Sequence, residues 1–119
     1  MTQPSLSLNV RKLPGIGLID IKGDVTGSAD EMFTAAYNDA SADQARAVVL
    51  NFTKLEYMNS TGIGLLVTFL IRAQRQKQQL LAVGLSEHYQ EIFELTRLNE
   101  AIGIYPTEAE ALAALTAPA

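Results

Sequence analysis

The sequence predicts one α/β domain built on a mixed β-sheet of about five strands. Two observations predict it. Short apolar runs alternate with amphipathic segments of helical spacing, in the order β-β-α-β-α-β-α-β-α, and no repeat or linker divides the chain. Each strand–helix–strand unit returns in the same direction through a right-handed crossover, so the later strands should be parallel. The length of 119 residues fits a single domain over residues 1–119.

The chain begins with a predicted hairpin. Apolar and polar residues alternate over residues 6–11, as in a strand with one face toward solvent. A Pro-Gly turn at residues 14–15 leads to a second strand over residues 16–21. A glycine-containing segment at residues 23–27 is expected to end that strand.

The first predicted helix covers residues 29–40. Ser28 is a suitable N-cap, and Glu31 three residues later would complete a capping box. The inner side of the helix is predicted to carry Met32 and Ala36, with Phe33 and Tyr37 as further candidates.

The centre of the chain is a buried strand that leads into a helix N-terminus. Residues 47–52 are mostly β-branched, aromatic or apolar, as in a strand covered on both faces. Residues 54–59 interrupt the apolar pattern and predict a polar turn, and a helix follows from Thr61 to about residue 76. Unpartnered backbone N–H groups and the helix dipole favour negative charge at such an N-terminus.

The second helix is apolar on more than one side. Ile63, Leu66 and Leu70 form the stripe expected to face the sheet, and Leu65 and Phe69 lie beside that stripe. Either the sheet and the next helix cover this whole surface, which we favour, or part of it faces a partner protein.

The remaining elements complete the alternation. We predict a strand over residues 80–85, a helix capped by Ser86 that ends near residues 97–99, a short strand over residues 102–105, and a final helix that starts at Pro106. The residues predicted to face inward from the third helix are Ile92, Phe93 and Leu95.

Composition excludes several classes of protein. The net charge of −4 and the lack of a Lys/Arg cluster argue against a nucleic-acid partner. The longest apolar stretch stops at Arg72, short of the ~20 residues that cross a bilayer, so no membrane insertion is expected. The chain has no cysteine and no signal-peptide pattern at its start, which fits a cytoplasmic protein.

No catalytic or metal-binding pattern stands out. The single histidine, His88, lies in a polar stretch and is interpreted as a surface residue, and the carboxylates are too scattered to form an acid–base pair. The Gly62-Ile63-Gly64 segment lacks the third glycine of a dinucleotide fingerprint. We therefore expect no enzyme, no metal and no cofactor, and a packing role for Gly62 and Gly64.

Ser60 and Thr61 allow two interpretations. One of Asn59, Ser60 and Thr61 should cap the second helix, which stabilises it by about 1 kcal/mol. Three capping-type residues in succession exceed what one cap requires, so at least one hydroxyl should be free. A phosphate on it would add about −1.5 to −2 charges beside apolar neighbours and could prevent a partner from docking there.

Residues 51–66, NFTKLEYMNSTGIGLL, resemble the signature of the STAS domain family (sulphate transporter and anti-sigma factor antagonist), in which an Asp-Ser-Ser/Thr-Gly segment stands at this turn. Residues 23–25 resemble the family's turn after the second strand, and residues 92–98 its helix after the fourth strand. The resemblance implies a STAS-like domain with helices packed mainly on one face of the sheet, and a bacterial regulator of the anti-sigma factor antagonist (anti-anti-sigma) type.

The resemblance also implies a phosphorylation cycle. The acceptor position corresponds to Thr61, with Ser60 as the alternative. The phosphate donor would be an ATP-dependent serine/threonine-type kinase that doubles as the anti-sigma factor, the unphosphorylated form would bind that kinase, and a phosphatase would reset the cycle. The residues expected to contact the partner are Gly23, Asp24, Thr26, Met58, Asn59, Ser60, Gly62, Ile63 and Leu65.

Two positions depart from the family pattern. Asn59 and Asn51 stand where aspartate is common, and Asn59 brings no negative charge next to the acceptor, although its amide oxygen can still cap a helix. The alternative function is therefore a constitutive STAS adaptor, for example a subunit of a transport system, in which Thr61 only caps the helix.

Overall fold

The computed structural model describes residues 6–116 and arranges them around a five-stranded sheet with the strands in sequence order. The first pair of strands is antiparallel and the other pairs are parallel, as predicted. The strands are β1 (Leu6–Leu13), β2 (Ile16–Val25), β3 (Ala47–Met58), β4 (Gln79–Val83) and β5 (Gly103–Tyr105). The helices are α1 (Asp30–Ala40), α2 (Ser60–Arg75), α3 (Glu87–Leu95) and α4 (Glu108–Thr116). Short 3-10 turns cover Gly27–Ala29 and Leu98–Glu100.

Alternation along the strands sends side chains into two cores, one on each face of the sheet. Helices α1, α2 and α3 share the larger core, and α4 lies alone on the other face, so the helices pack mainly on one face as expected. The largest buried side chains of the larger core are Phe33, Tyr37, Phe69 and Phe93. The second core consists of Ile16, Leu18, Val49, Leu81, Val83 and Ala111.

An aromatic contact joins α1 to α2. The ring of Tyr37 stacks on Phe69 with centroids 4.5 Å apart, and its hydroxyl donates to the carbonyl oxygen of Phe69 over 3.3 Å. Phe69 and Leu65 are 1% and 8% exposed, which confirms that neighbouring elements cover this part of α2. Within residues 6–116, no helix is both long and apolar enough to cross a membrane.

Strands β2 and β3 are longer than predicted. We expected them to end at residues 21 and 52, with a break at residues 23–27 and a polar turn at residues 54–59, but they continue to Val25 and Met58. The two extensions pair with each other beyond the last residue of β4, which satisfies the backbone groups on their facing edges. Because the extension of β3 is largely exposed, its side chains are polar and resemble a turn in sequence.

The start of α1 also differs from the prediction. Ser28 belongs to the 3-10 turn, its hydroxyl lies 3.1 Å from that of Thr26, and α1 begins at Asp30 without a side-chain cap. Met32 is 42% exposed, because the buried stripe runs through positions 33, 36, 37 and 40 and leaves Met32 on its flank. Leu95, predicted to face inward, is 78% exposed at the end of α3.

A guanidinium on β1 ties the start of α4 to the sheet. Arg11 donates from Nε and Nη2 to the carboxylate of Asp20 over 2.8 and 2.7 Å, and from Nη1 to Glu108 over 3.1 Å. These hydrogen bonds hold the pKa of Asp20 and the pKa of Glu108 below their usual values. Each of the two carboxyls therefore contributes to the stability of the fold only while it is ionised.

The Arg11 cluster should make part of the stability sensitive to acid. A carboxyl whose pKa is lowered on folding stabilises the folded state above its unfolded pKa, near pH 4, and loses that contribution as the pH falls through its folded pKa. We expect Arg11→Gln to lower the melting temperature at neutral pH and to reduce the further loss below roughly pH 4. Thermal melts across this range measure both effects.

The matched control is Arg75→Gln, which removes an exposed arginine that has no ion pair with any residue between 6 and 116. An acid-dependent loss of equal size in wild type and Arg11→Gln would contradict this role of the cluster.

Candidate functional site

The N-terminus of α2 lies against the ends of β2 and β3. Only Asn59 separates the last residue of β3 from the first residue of α2. The N–H of Asn59 donates to the carbonyl oxygen of Val25 over 3.2 Å, which ties this junction to the end of β2. The junction therefore stands at the carboxyl edge of the parallel strands, the edge where α/β proteins usually place their sites.

Gly62 allows this close approach. A Cβ atom at Gly62 would lie 2.5 Å from the carbonyl oxygen of Val25 and 2.7 Å from Cγ of Met58, so no larger residue fits without a backbone shift. The predicted packing role of Gly62 is confirmed. The same role predicted for Gly64 is wrong, because a Cβ atom there would meet nothing within 4 Å. Gly64 instead leaves an exposed strip of helix backbone.

Asn59 is the N-cap of α2. Its side-chain oxygen accepts from the N–H of Gly62 over 3.0 Å, and its carbonyl oxygen accepts the first helical bond from Ile63, also over 3.0 Å. Ser60 and Thr61 are exposed, and their hydroxyls hydrogen-bond to no residue in the described part of the chain. The sequence predicted one cap and a free hydroxyl; the structure has one cap and two free hydroxyls.

Thr61 faces the 3-10 turn that follows β2. Its methyl carbon Cγ2 lies 3.4 Å from the position of a Cβ atom at Gly27, so Thr61 sits over a residue without a side chain. The hydroxyls of Thr26 and Ser28 flank that glycine in the chain and contact each other. Thr61 therefore packs against the turn that holds Gly27, a contact that pattern analysis of the sequence did not reveal.

Two side chains protect the edge of β3 where β4 has ended. The hydroxyl of Tyr89 on α3 accepts from the N–H of Met58 over 2.8 Å, and the side-chain oxygen of Asn51 accepts from the N–H of Thr53 over 2.9 Å. Tyr89 is 7% exposed, so this bond is buried. Sequence reasoning missed Tyr89, because nothing in the pattern of α3 relates it to a strand more than thirty residues earlier.

The structure brings part of the predicted partner-contacting set together. Asn59, Ser60 and Gly62 form the junction together with Thr61, the predicted acceptor, and Thr26 follows directly after the end of β2. Gly23 and Asp24 lie within β2, paired with Leu55 and Tyr57, not in a turn as predicted.

Four residues of that set are buried and cannot form the contact surface, namely Gly23, Met58, Gly62 and Leu65. Met58 and Leu65 are 4% and 8% exposed, so their side chains support the surface from below and do not form it. Ile63 is partly buried against the same core. The exposed apolar side chains on the nearby surface are instead Tyr57 and, farther along α2, Val67 and Ile71.

His88 lies on the surface of the protein, as predicted. His88 is exposed and contacts the ring of Tyr89 edge-on, with centroids 4.8 Å apart. Among the residues that the structure describes, no three histidine or carboxylate side chains come close enough together to hold a metal ion.

Comparison with known proteins identifies a family. A model of the STAS domain matches residues 7–111. An anti-sigma-B factor antagonist of Listeria monocytogenes is 33% identical over 61 residues, which are 51% of this chain and 54% of that protein. The protein of the same name from Staphylococcus aureus is 33% identical over 58 residues, 49% of this chain and 54% of that protein. The match thus spans about half the length of these curated relatives.

Solved structures share the fold over almost the whole chain. An anti-sigma factor antagonist from Mycobacterium paratuberculosis superposes with a TM-score of 0.83 at 20% identity, covering 98% of this chain and all of the other. The Bacillus cell fate determinant SpoIIAA, in its phosphorylated form, has a TM-score of 0.73 at 20% identity over 92% of this chain and 99% of its own. At such identities the likeness establishes the fold alone.

The two glycines of α2 provide a matched test of the junction. Gly62→Ala places a methyl group against the backbone of Val25, and such overpacking costs roughly 1–3 kcal/mol. Gly64→Ala places the same group in open space, where alanine favours a helix over glycine by about 0.5–1 kcal/mol. Urea denaturation should therefore show a lower free energy of unfolding for Gly62→Ala and a higher one for Gly64→Ala than for wild type. A Gly62→Ala protein as stable as wild type would contradict the close approach of α2 to β2.

Proposed function

The chain belongs to the STAS domain family, and we propose that it acts as an anti-sigma factor antagonist whose binding is switched by phosphorylation of Thr61. The observation that carries the proposal is the free, exposed hydroxyl of Thr61 on a helix that Asn59 already caps. The names of the curated relatives support the regulatory role. In this proposal the protein is a binding module and not an enzyme.

The hydroxyl of Thr61 is available because it has no structural task. A threonine that capped α2 would lose its cap on modification, at a cost of about 1 kcal/mol. Asn59 supplies that cap, and Gly62 supplies the close packing. A phosphate on Thr61 would therefore change the surface of the protein and leave the junction intact.

The position also tolerates the charge of a phosphate. The N–H groups of Ser60 and Thr61 precede the first helical hydrogen bond, which starts at Ile63, and the helix dipole places partial positive charge there. A phosphate brings about −1.5 to −2 charges and three acceptor oxygens. Phosphorylation should thus be compatible with the folded state.

The docking surface that we propose runs along the exposed side of α2. Ser60, Gly64, Val67 and Ile71 recur at helical spacing and are all exposed, and the missing side chain at Gly64 lets a partner approach the helix backbone. Thr61 stands at one end of this strip. A phosphate there would face any partner that covers the strip and would have to be desolvated, which weakens docking.

The partner that we propose is an anti-sigma factor that is also a serine/threonine-type kinase. The unphosphorylated chain would bind it and release the sigma factor, ATP-dependent phosphorylation of Thr61 would end the complex, and a phosphatase would restore the binding form. The fold is known in a phosphorylated state from SpoIIAA, which supports this chemistry. Such a cycle would take place in the cytoplasm and requires no metal or cofactor held by this chain.

A constitutive adaptor remains the second candidate. The uncharged Asn59 next to the acceptor favours it, because the family usually has aspartate there. The capping role of Thr61 that this alternative assumed is not seen, since the cap is Asn59. The adaptor therefore predicts that changes at Thr61 have no effect on binding.

A negative charge at position 61 should weaken partner binding and leave the fold unchanged. We expect Thr61→Glu to keep a native circular dichroism spectrum and to bind the anti-sigma factor kinase of the same organism at least tenfold more weakly, a loss of about 1.4 kcal/mol. Gln74→Glu is the control, because it adds the same charge about 20 Å farther along the same exposed helix. Isothermal titration calorimetry gives the affinities. Equal binding of wild type and Thr61→Glu would favour the adaptor.

Phosphate incorporation should depend on Thr61 and not on its neighbours. After incubation with the kinase and ATP, Thr61→Ala should carry no phosphate, while Ser60→Ala and Asn59→Asp should be modified. Thr61→Ala should melt close to wild type, because the cap is Asn59. Tandem mass spectrometry locates the phosphate. Phosphate on Ser60 in the wild type would place the acceptor one residue earlier than proposed.

A further inference from the structure

We propose that the open part of the sheet face that carries α4 binds a small phosphorylated molecule. Helix α4 covers only the apolar part of this face, around Leu18, Val49 and Leu81. Beyond Asp20 the face turns polar, and a cleft of about 440 Å³ opens over β1, β2 and β3. Small-molecule sites usually measure about 300–1,000 Å³. The cleft lies on the opposite face of the sheet from α2, so this inference does not depend on the proposed function.

The floor of the cleft consists of two rows of register partners on three neighbouring strands. The inner row, next to α4, is Asn9, Asp20 and Asn51. The outer row is Ser7, Lys22 and Lys54. All six side chains line the cleft, so polar groups and two cations converge on one concave surface.

An irregularity in β3 puts the second lysine into the outer row. Asp20 pairs with Asn51 and Lys22 pairs with Lys54, so β3 contains one more residue than β2 over this step. Without that β-bulge, Thr53 would stand beside Lys22. Lys54 would then point to the other face of the sheet, which carries α1, α2 and α3. Bulges re-aim side chains and are common next to functional sites. Here the bulge places two lysines side by side.

This placement brings two like charges together on one face of the sheet. Neighbouring strands are about 4.8 Å apart, and like charges that stand side by side on one face repel each other. Lys22 and Lys54 form no ion pair with any residue from 6 to 116. The carboxylate that lines the cleft, Asp20, accepts two hydrogen bonds from Arg11 and one from Asn9, and it offsets part of the charge of Lys54. A bound dianion would remove the repulsion.

The other groups of the cleft define the class of ligand. Lysine binds phosphate as a point charge, and the hydroxyl of Ser7, which has no hydrogen-bond partner in the described chain, can donate to a phosphate oxygen. Asn9 keeps its side-chain oxygen as an unused acceptor for a ligand hydroxyl. The cleft is also larger than a phosphate group alone requires. We therefore assign it to a phosphate monoester of a hydroxylated carbon skeleton, such as a sugar phosphate.

Titration of the full chain with defined probes tests this assignment. Glucose 6-phosphate should shift the backbone amide NMR signals of Lys22 and Lys54 saturably and raise the melting temperature, inorganic phosphate should do so more weakly, and glucose should have no effect. Lys22→Gln and Lys54→Gln should each weaken binding of glucose 6-phosphate at least tenfold. Lys77→Gln, which removes an exposed lysine at the far end of α2, should bind like wild type.

The melting temperature of the ligand-free protein gives a second test. Since each glutamine variant relieves the repulsion, its melting temperature without ligand should equal or exceed that of wild type. Shifts that scale with sodium chloride alone would mean that the cleft responds only to ionic strength, and citrate binding as tightly as glucose 6-phosphate would mean that it selects charge and not phosphate. Either result, or unchanged affinity in both lysine variants, would overturn the proposal.

Discussion

The close contact between Gly62 and the ends of β2 and β3 is the constraint on which the site depends. It exists because Gly62 has no side chain that would collide with the carbonyl oxygen of Val25 or with Met58. The same carbonyl oxygen accepts a hydrogen bond from the N–H of Asn59. The end of β2 therefore both bonds to the residue before α2 and packs against the helix. The direction of α2, and with it the position of Thr61, follows from these two contacts.

Different residues carry the structural and the regulatory tasks at this junction. Asn59 caps the helix and Gly62 packs, while Ser60 and Thr61 keep their hydroxyls in solvent. A modification that used a capping or packing residue would change stability together with binding. Here a charge can be added to the surface while the contacts that hold the helix remain, which is the physical basis of the proposed switch. The polar cleft lies on the other face of the sheet and involves none of these residues.

Much of the fold could be predicted from the sequence, because order, direction and burial follow from hydrophobic spacing and from the chirality of crossovers. The extensions of β2 and β3 could not, since they are half-exposed and interrupted by bulges that break the alternation. At the site, residue type and position predicted that one of Asn59, Ser60 and Thr61 caps α2, without saying which, and predicted the packing role of Gly62. The bond from Met58 to Tyr89 and the tie between Arg11 and Glu108 could not be predicted, because they join residues 31 and 97 positions apart.

The central claim is that Thr61 carries a regulatory phosphate in the living cell. Its most direct test is tandem mass spectrometry of the protein purified from its native organism, under several growth conditions and with phosphatases inhibited. We expect a fraction of the chains to carry one phosphate on Thr61, and the anti-sigma factor to copurify only with the unmodified fraction. Two results would contradict the account. One is an anti-sigma factor that copurifies equally with modified and unmodified chains. The other is a chain that is never phosphorylated at Thr61 although the amount of bound partner changes between growth conditions.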